Sequence, residues 1–416
     1  MTGRLPGYEE EESSRRELPS NKGVLPSQSI RVLIDDKRIR ASEPIDAAQI
    51  QPASLDLRLG DRAHRLQASF LPGNAPVEAK LRHLSLAKLD LTSRSPAVLE
   101  RGVVYLVPLM EELDLREEGL AAKANPKSTT GRLDVFTRLI TDGGSEFERV
   151  PDDYRGPLYA EIMPRTFPVI VRPGLSLSQI RFIRGRAELT DRELRKLDGK
   201  EELIYLDDEK SSVASIRDGV ELSVSLRGDG VRDVVAYRGK QNARLVDLSR
   251  VGEYEIGEFW EEIRDCPGDR LILNPGDFYI LVSRERVRVP PGYAAEMVPF
   301  DPSVGEFRIH YAGFFDPGFG YGVEGDIKGT RAVLEVRAHE VPFVIEHGQV
   351  VGRLVYSRVL DVPDKIYGKS IGSSYQRQEL ALSKQFRRSS YAVGQPDGAP
   401  ERSWQSGMPV VGHPRE

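Results

Sequence analysis

The two halves of this 416-residue chain match each other at one fixed spacing. Each matched residue in the first half has its counterpart 174 positions further along. The matched pairs are Gly102 and Gly276, Tyr105 and Tyr279, Glu161 and Glu335, Pro168 and Pro342, and Gly174 and Gly348. A spacing this long is typical of a duplicated domain, because solenoid repeats run to only about 20–50 residues. The sequence therefore predicts two tandem copies of one domain.

The local pattern within each copy is that of short β-strands. The apolar residues of 158–162 alternate with other residues, as in a half-buried strand, and their counterparts in 332–336 are apolar too. The chain also has 38 glycines and 28 prolines, which favour frequent turns. We predict a mainly β fold with a few short helices. Ser27 is predicted to cap one helix, and Thr190 with Glu193 has the spacing of a capping box for another.

Changes in composition divide the chain into five predicted segments. Residues 1–22 are acidic and polar and are predicted to be a disordered tail. The first copy is predicted to span 23–185 and the second 186–365. Residues 366–388, rich in Gly, Ser and Tyr, form a separate C-terminal segment, and 389–416 are predicted to be a flexible tail.

Charge and residue content argue against several classes of protein. The net charge is only −5, so no overall basic field points to a nucleic acid partner. No apolar run is long enough to cross a bilayer, and no signal peptide pattern is present, so we expect no membrane partner and a cytoplasmic location. The single cysteine, Cys266, suits a reducing compartment. The six histidines lack ligand-like spacing, so no zinc site is expected.

A loop in the first copy has the composition of an anion site. Lys127 and Arg132 flank three consecutive hydroxyl residues, of which Ser128 and Thr129 are the first two. Such a loop can direct hydroxyls, backbone N–H groups and two positive charges at a polyphosphate. An ordinary solvated turn has the same residue types and is the alternative. The corresponding stretch of the second copy, 300–306, has two acids and no basic residue, and should repel phosphate.

The duplicated glutamates, Glu161 and Glu335, are candidate general bases. Alternation places Glu335 on the strand face of Val333, and Glu161 likewise among apolar neighbours. A carboxylate in apolar surroundings loses hydration, which raises its pKa toward a value useful for catalysis. The alternative is a glutamate at a solvated sheet edge, or one paired with an arginine such as Arg337.

Four stretches, taken in order, resemble the metal-independent dCTP deaminase family, a relative of the trimeric dUTPases. They are Gln51–Gly60, Lys127–Leu133, the pair Ala312–Phe319 and Val333–Val336, and Tyr375–Gln378. The resemblance implies that each copy is a dUTPase-like distorted β-barrel or jelly-roll. It also implies a hydrolase that acts on the C–N bond of a cyclic amidine, converting dCTP to dUTP and ammonia in the synthesis of dTTP precursors.

The resemblance implies catalytic roles for four residues. Glu335 or Glu161 would be the general base that activates water without a metal. Arg132 would hold this carboxylate and stabilise charge in the transition state, and Ser128 would orient the water or the carboxylate.

It also implies how the nucleotide is held. Lys127 and Thr129 would bind phosphates, with Mg²⁺ bridging the triphosphate oxygens. Ala312 and Phe315 would border the base, and Asp316 would meet the sugar. The C-terminal segment, with Tyr375 and Gln378, would close over the nucleotide.

Several alternatives stay open at this level. The loop of a first copy can pair with Glu335 of a second copy, in the same or a neighbouring chain, or with Glu161 of another first copy. The family implies a homo-oligomer, a trimer. The turn Tyr154–Gly156 also resembles a dUTPase, so a dUTP diphosphatase or a bifunctional enzyme is the second candidate. A non-catalytic nucleotide-binding regulatory protein is the third.

Overall fold

The computed structural model describes most of the chain between residues 22 and 387. The described ranges are 22–92, 97–206, 210–228, 233–299, 307–309, 313–322, 324–338, 340–368, 375–376 and 378–387. The following predictions fall outside these residues: the N-terminal tail 1–22 except for residue 22, the C-terminal tail 389–416, the second-copy loop 300–306 and Ala312.

Strands dominate the first copy. They are β1 Gly23–Val24, β2 Ile39–Ala41, β3 Leu55–Arg58, β4 Arg62–Leu66, β5 Ser85–Asp90, β6 Ala97–Leu99, β7 Tyr105–Asp114, β8 Leu120–Pro126, β9 Val135–Thr141, β10 Arg149–Val150, β11 Arg155–Pro164, β12 Val169–Val171 and β13 Ser176–Arg184. Three helices accompany them, and these are α1 Ser27–Asp35, α2 Val77–Leu84 and the single turn α3 Ser128–Gly131.

Strands also dominate the second copy. Its strands are β14 Ile204–Tyr205, β15 Ser211–Ser212, β16 Val220–Ser225, β17 Ala236–Gly239, β18 Val246–Asp247, β19 Trp260–Ile263, β20 Arg270–Leu273, β21 Phe278–Val287, β22 Tyr293–Pro299, β23 Phe307–Ile309, β24 Phe314–Phe315, β25 Thr330–Ala338, β26 Phe343–Glu346 and β27 Val350–Arg358. Its helices are α4 Asp191–Glu201, α5 Ile256–Phe259 and a 3₁₀ turn at Pro267–Asp269.

The strands form sheets of five, six, three, eleven and two members in the described part of the chain. The mainly β prediction with a few short helices is confirmed. Each sheet is open, however, and none of them closes into a barrel within the described residues. No helix there is long and apolar enough to cross a membrane.

The duplication is visible in the strand register. Glu161 on β11 lies opposite Leu106 on β7, and Glu335 on β25 lies opposite Ile280 on β21, which is the same pairing shifted by one repeat. In both copies the first tyrosine of the partner strand accepts a hydrogen bond from a backbone N–H five residues earlier, at 3.1 Å. The two candidate bases therefore occupy equivalent places in two equivalent strand pairs.

The helix starts were predicted with mixed success. The capping box at Thr190 and Glu193 is confirmed, with both reciprocal hydrogen bonds present at the start of α4. The prediction for Ser27 was wrong by one residue, because Pro26 is the N-cap and Ser27 is already helical. The Ser27 hydroxyl instead donates a hydrogen bond to Asp364.

The two copies share apolar packing where they meet. Phe167 of the first copy packs edge-on against Trp260 of the second, with ring centroids 5.2 Å apart. In addition, β18 of the second copy extends the β6–β12 pair of the first copy as a parallel strand. Because buried apolar contact resists separation, this packing holds residues of both copies in fixed relative positions.

Candidate active site

The basic loop of the first copy is a tight turn that points inward. It follows β8 directly and forms α3, a single helical turn rather than the irregular loop predicted. The Thr130 hydroxyl donates to the Leu177 carbonyl at 2.8 Å, and the Arg132 N–H donates to the Ser128 carbonyl at 3.1 Å. The first bond holds the turn against β13, and the second closes the turn itself. The Arg132 side chain is only 3% exposed.

Glu335 lies in the middle of β25, a strand on which every residue is buried. Its Oε1 atom is 4.0 Å from Nε of Arg132, which comes from the other copy. Burial removes hydration from the carboxylate and raises the pKa of Glu335 to about 8, although the charge of Arg132 acts in the opposite direction. A carboxyl group with such a pKa can accept and release a proton near neutral pH.

A pocket surrounds this pair of side chains, and both copies line it. Its lining residues are Pro126, Lys127, Ser128, Arg132, Met297, Gly313, Phe314, Phe315, Phe319, Val333, Glu335, Tyr367, Tyr375 and Gln378. Charged and hydroxyl groups come mainly from the first copy, whereas aromatic rings come from the second copy and the C-terminal segment. An aromatic wall, formed here by Phe314, Phe315 and Phe319, beside a few convergent polar groups is typical of a small-molecule site.

The C-terminal segment is already folded over Arg132. The ring of Tyr375 stacks on the guanidinium, with 3.8 Å between the guanidinium carbon and the ring centroid. Arg132 also donates hydrogen bonds to the Gln378 side chain at 2.9 Å and to the Ala381 carbonyl at 3.1 Å. Arginine suits this arrangement because it combines a planar face with several directed N–H groups.

A group of charged residues that sequence reasoning missed lies next to Lys127. The Lys127 ammonium pairs with the carboxylate of Asp56, a buried residue of β3. Desolvation of its ammonium, together with the charge of Lys127, lowers the pKa of Lys384. Lys365 is close enough that its charge acts on Asp56 as well. Sequence spacing could not reveal this group, because its members come from four separated parts of the chain.

Two predicted binding residues do not line the pocket. Asp316 is buried and pairs with Arg181, at 3.2 Å between Oδ1 and Nη2. Burial raises the pKa of Asp316, and the charge of Arg181 opposes the rise. Thr129 lies on the turn, where its backbone carbonyl accepts a hydrogen bond from the Ser383 hydroxyl at 2.8 Å. Their proposed contacts with sugar and phosphate remain predictions.

The rival base, Glu161, is in different surroundings. Arg138 lies directly opposite it on β9, and Nε of Arg138 donates to Oε1 of Glu161 at 3.0 Å. The same guanidinium stacks on Phe147 at 3.4 Å from the ring centroid. Glu161 is not among the residues that line the pocket. An arginine of its own copy thus neutralises this glutamate.

The structure brings Lys127, Ser128 and Arg132 of the first copy together with Phe315 and Glu335 of the second, within one chain. Chemically, a proton acceptor of raised pKa lies beside a guanidinium cation, with the ring of Phe315 and the ammonium group of Lys127 lining the same pocket. This set can bind a flat ring linked to an anion and activate a water molecule. In the described part of the chain, no group of three or more His, Cys, Asp or Glu residues is arranged to hold a metal ion.

The raised pKa of Glu335 has a consequence for stability. In the unfolded chain a glutamate has its ordinary pKa of 4.5, so the stabilising contribution of protonated Glu335 is lost as pH rises from about 4.5 through 8. We expect no such loss of stability in Glu335→Gln, because glutamine has no ionisable side chain. Its unfolding free energy relative to the parent should increase between pH 5 and pH 9 by an amount on the order of a few kcal/mol. Urea unfolding of both proteins measures the difference, and a value independent of pH would contradict the assignment.

Comparisons with known proteins agree on one family. A family model described as the 2'-deoxycytidine 5'-triphosphate deaminase (DCD) N-terminal domain matches residues 21–186, and the model of the corresponding C-terminal domain matches residues 190–386. Among solved structures, a 2'-deoxycytidine 5'-triphosphate deaminase from Agrobacterium tumefaciens is 50% identical, with a TM-score of 0.76. The match covers 81% of this chain and 99% of that one.

Two curated relatives each align with about a third of this chain. The "dCTP deaminase, dUMP-forming" of Halobacterium salinarum is 32% identical over 139 residues, which are 32% of this chain and 66% of the relative. The dCTP deaminase of Halorubrum lacusprofundi is 30% identical over 128 residues, which are 30% of this chain and 59% of the relative. Each alignment thus spans less than two thirds of the relative's own length.

Proposed function

This chain belongs to the dCTP deaminase family, and from that premise we propose that it hydrolyses dCTP to dUTP and ammonia at the pocket shared by its two copies. The observation that carries the proposal is the buried pair of Glu335 and Arg132, whose side chains approach to 4.0 Å across the copies. The carboxyl group of Glu335, with a pKa of about 8, is suited to accept and release protons near neutral pH.

In the proposed reaction, Glu335 removes a proton from a water molecule while that water attacks C4 of cytosine. Glu335 passes this proton to the ring nitrogen N3, and the second proton of the attacking water, now on the C4 hydroxyl, passes to the amino group, so that the C4–N bond breaks, ammonia leaves and the C4 carbonyl of uracil forms. Negative charge that develops on the way is stabilised by Arg132, which is already fixed in place and needs no reorganisation. Ser128, at the start of α3, is proposed to orient the water or the carboxylate.

The triphosphate is proposed to lie over the basic side chains of Lys127 and Lys384. Lys127 supplies one cation, Thr129 a hydroxyl, and Lys384 a further cation beside Lys127. Asp56 holds the Lys127 ammonium in place. Mg²⁺ would enter as part of the nucleotide substrate, bridging its phosphate oxygens, so we assign no protein ligand to it.

The base is proposed to stack among the aromatic residues of the second copy. Phe314 and Phe315 form β24 and line the pocket together with Phe319. The rings of Phe315 and Phe319 pack edge-on with centroids 4.9 Å apart, which gives this wall a fixed shape. Tyr375 and Gln378, already in contact with Arg132, would close the opposite side.

A second candidate function is the release of pyrophosphate from dUTP, alone or after deamination. It is favoured by the relatives named dUMP-forming. Incubating the purified protein with dCTP and, separately, with dUTP distinguishes the possibilities. Ammonia from dCTP with dUTP as the product supports our proposal, whereas pyrophosphate from either nucleotide supports the second function. Nucleotide binding with no turnover of either substrate would overturn both.

The pH dependence of the reaction provides a separate prediction. Glu335 must be deprotonated to act as a base, so activity should be lost as pH falls through its pKa. We expect kcat/KM for dCTP to fall on the acid side with a midpoint near 8, because this parameter reports ionisation in the free enzyme. A stopped assay for ammonia between pH 5 and pH 10 measures the profile. An acid limb near 4.5, the pKa of an ordinary glutamate, would exclude a buried base.

A further inference from the structure

A second buried ion pair lies beside the pair of Glu335 and Arg132. Nε of Arg337 donates to both carboxylate oxygens of Asp134, at 3.3 and 3.1 Å, and Nη2 of Arg337 also contacts the carboxylate. The Asp134 side chain is fully buried and that of Arg337 is 6% exposed. Neither residue lines the pocket.

The two pairs join the same two segments with opposite polarity. Arg132 and Asp134 are two residues apart at the end of the first-copy turn, and Glu335 and Arg337 are two residues apart on β25. Alternation along a strand places Glu335 and Arg337 on one face, about 6.6 Å apart. If the turn slid by two residues along β25, like charges would meet. The order of charges along the two segments therefore favours a single register of the turn against β25.

The carboxylate of Asp134 is held on its other sides as well. The Thr166 hydroxyl donates to Oδ2 of Asp134 at 2.6 Å, and Nη2 of Arg337 contacts the same hydroxyl at 2.8 Å. Arg337 also donates to the Gly276 carbonyl. The backbone of Asp134 is fixed too, because its N–H donates to Gly131 and its carbonyl accepts from Arg165, both at 2.9 Å. These contacts leave the turn little freedom to move relative to β25.

The first copy has no equivalent of this second pair. The counterpart of Arg337 one repeat earlier is Met163, which cannot form an ion pair. The pair is thus confined to the contact where Arg132 of one copy must reach Glu335 of the other.

We propose that Asp134 and Arg337 are positioning residues, which set the separation of Arg132 from Glu335 without touching the substrate. The inference rests on the proposed deaminase function. In a reaction that depends on fixed charges, a displacement of about 1 Å can lower the rate about 100-fold. Loss of the pair should therefore lower kcat more than it raises KM.

The first test uses Asp134→Asn. Asp134 has a positive φ of 55°, a conformation that asparagine also tolerates, so the backbone can be kept while the charge is removed. We expect kcat for dCTP to fall about 10- to 100-fold with KM changed less than about 3-fold. We also expect the acid limb of the pH profile to move to higher pH, because Arg132 would no longer lower the pKa of Glu335 as strongly.

Two further variants separate positioning from loss of stability. The double variant Asp134→Asn with Arg337→Gln leaves no unpaired buried charge, and it should still show the fall in kcat and the shifted pH profile. Glu111→Gln disrupts another ion pair with a buried carboxylate, formed between Glu111 on β7 and Arg58 on β3 at 2.8 Å, and should leave kcat and the pH profile unchanged.

The outcomes distinguish this inference from the proposed function. If the parent protein deaminates dCTP and Asp134→Asn keeps the parental kcat and pH profile, the pair does not position the site. The same holds if Glu111→Gln reproduces the changes, since these would then reflect stability alone. If the parent releases no ammonia, the proposed function fails first, and the geometric claim is tested by the shift in the Glu335 pKa measured by nuclear magnetic resonance.

Discussion

Glu335→Gln is expected to lower the rate of ammonia release from dCTP about 100- to 10,000-fold, the usual range for removal of a general base. Glutamine keeps the size and the hydrogen-bonding capacity of the side chain but cannot accept the proton of water. Glu335 is the only carboxylate among the described residues that line the pocket, so no second carboxylate there is placed to substitute for it. Nucleotide binding should persist, because Lys127, Arg132 and the aromatic wall are unchanged.

The matched variant is Glu161→Gln, at the equivalent place in the first copy. Glu161 pairs with Arg138 and does not line the pocket, so this variant should retain most of the deaminase activity. Ammonia assays on both variants, with isothermal titration of dCTP to confirm binding, give the comparison. An active Glu335→Gln together with an inactive Glu161→Gln would reverse the assignment of the base.

Arg132→Met should produce the second largest loss, about 100- to 1,000-fold in kcat, the range seen when one fixed donor of transition-state charge is removed. Lysine should rescue little of it. A single ammonium cannot at once lie near Glu335, stack under Tyr375 and donate to both Gln378 and the Ala381 carbonyl, as the guanidinium does. Single-turnover measurements with dCTP isolate the chemical step.

Arg132 places a positive charge beside Glu335 and also holds the C-terminal segment. A further variant separates these two roles. Gln378→Ala removes one of the contacts that hold the C-terminal segment, but it leaves the charge beside Glu335 in place. We expect this variant to weaken nucleotide binding and to expose the segment to proteolysis, with a smaller loss of kcat than in Arg132→Met. Equal losses of kcat in the two variants would mean that closure of the segment, rather than charge, explains the effect of Arg132.

Much of the fold was predictable from residue patterns. The spacing between the two glutamates, with the apolar residues around each, indicated paired strands in duplicate, and the register of β11 and β25 agrees with it. The capping box at Thr190 was equally readable, because all of its partners lie within three residues. Ser27 was misassigned because Pro26 precedes it and takes the N-cap position.

The site was predictable only in its parts. The residue types of the basic loop indicated anion binding, but Asp56 and Lys384 were missed because they reach Lys127 only after folding. Asp316 was assigned to the sugar from its motif, and no local pattern could reveal its partner Arg181 more than 130 positions earlier.

The sequence by itself determined that the chain contains two copies of a β domain, with one basic loop and two strand-borne glutamates. Only the tertiary structure distinguished the glutamates. Their local sequences are alike, and the difference lies in what folding places opposite each carboxylate: Arg138 within hydrogen-bonding distance of Glu161, but Arg132 at 4.0 Å from Glu335. Because desolvation and charge at a carboxylate depend on neighbours in space, the same residue on the same kind of strand becomes a structural ion pair in one copy and a candidate base in the other.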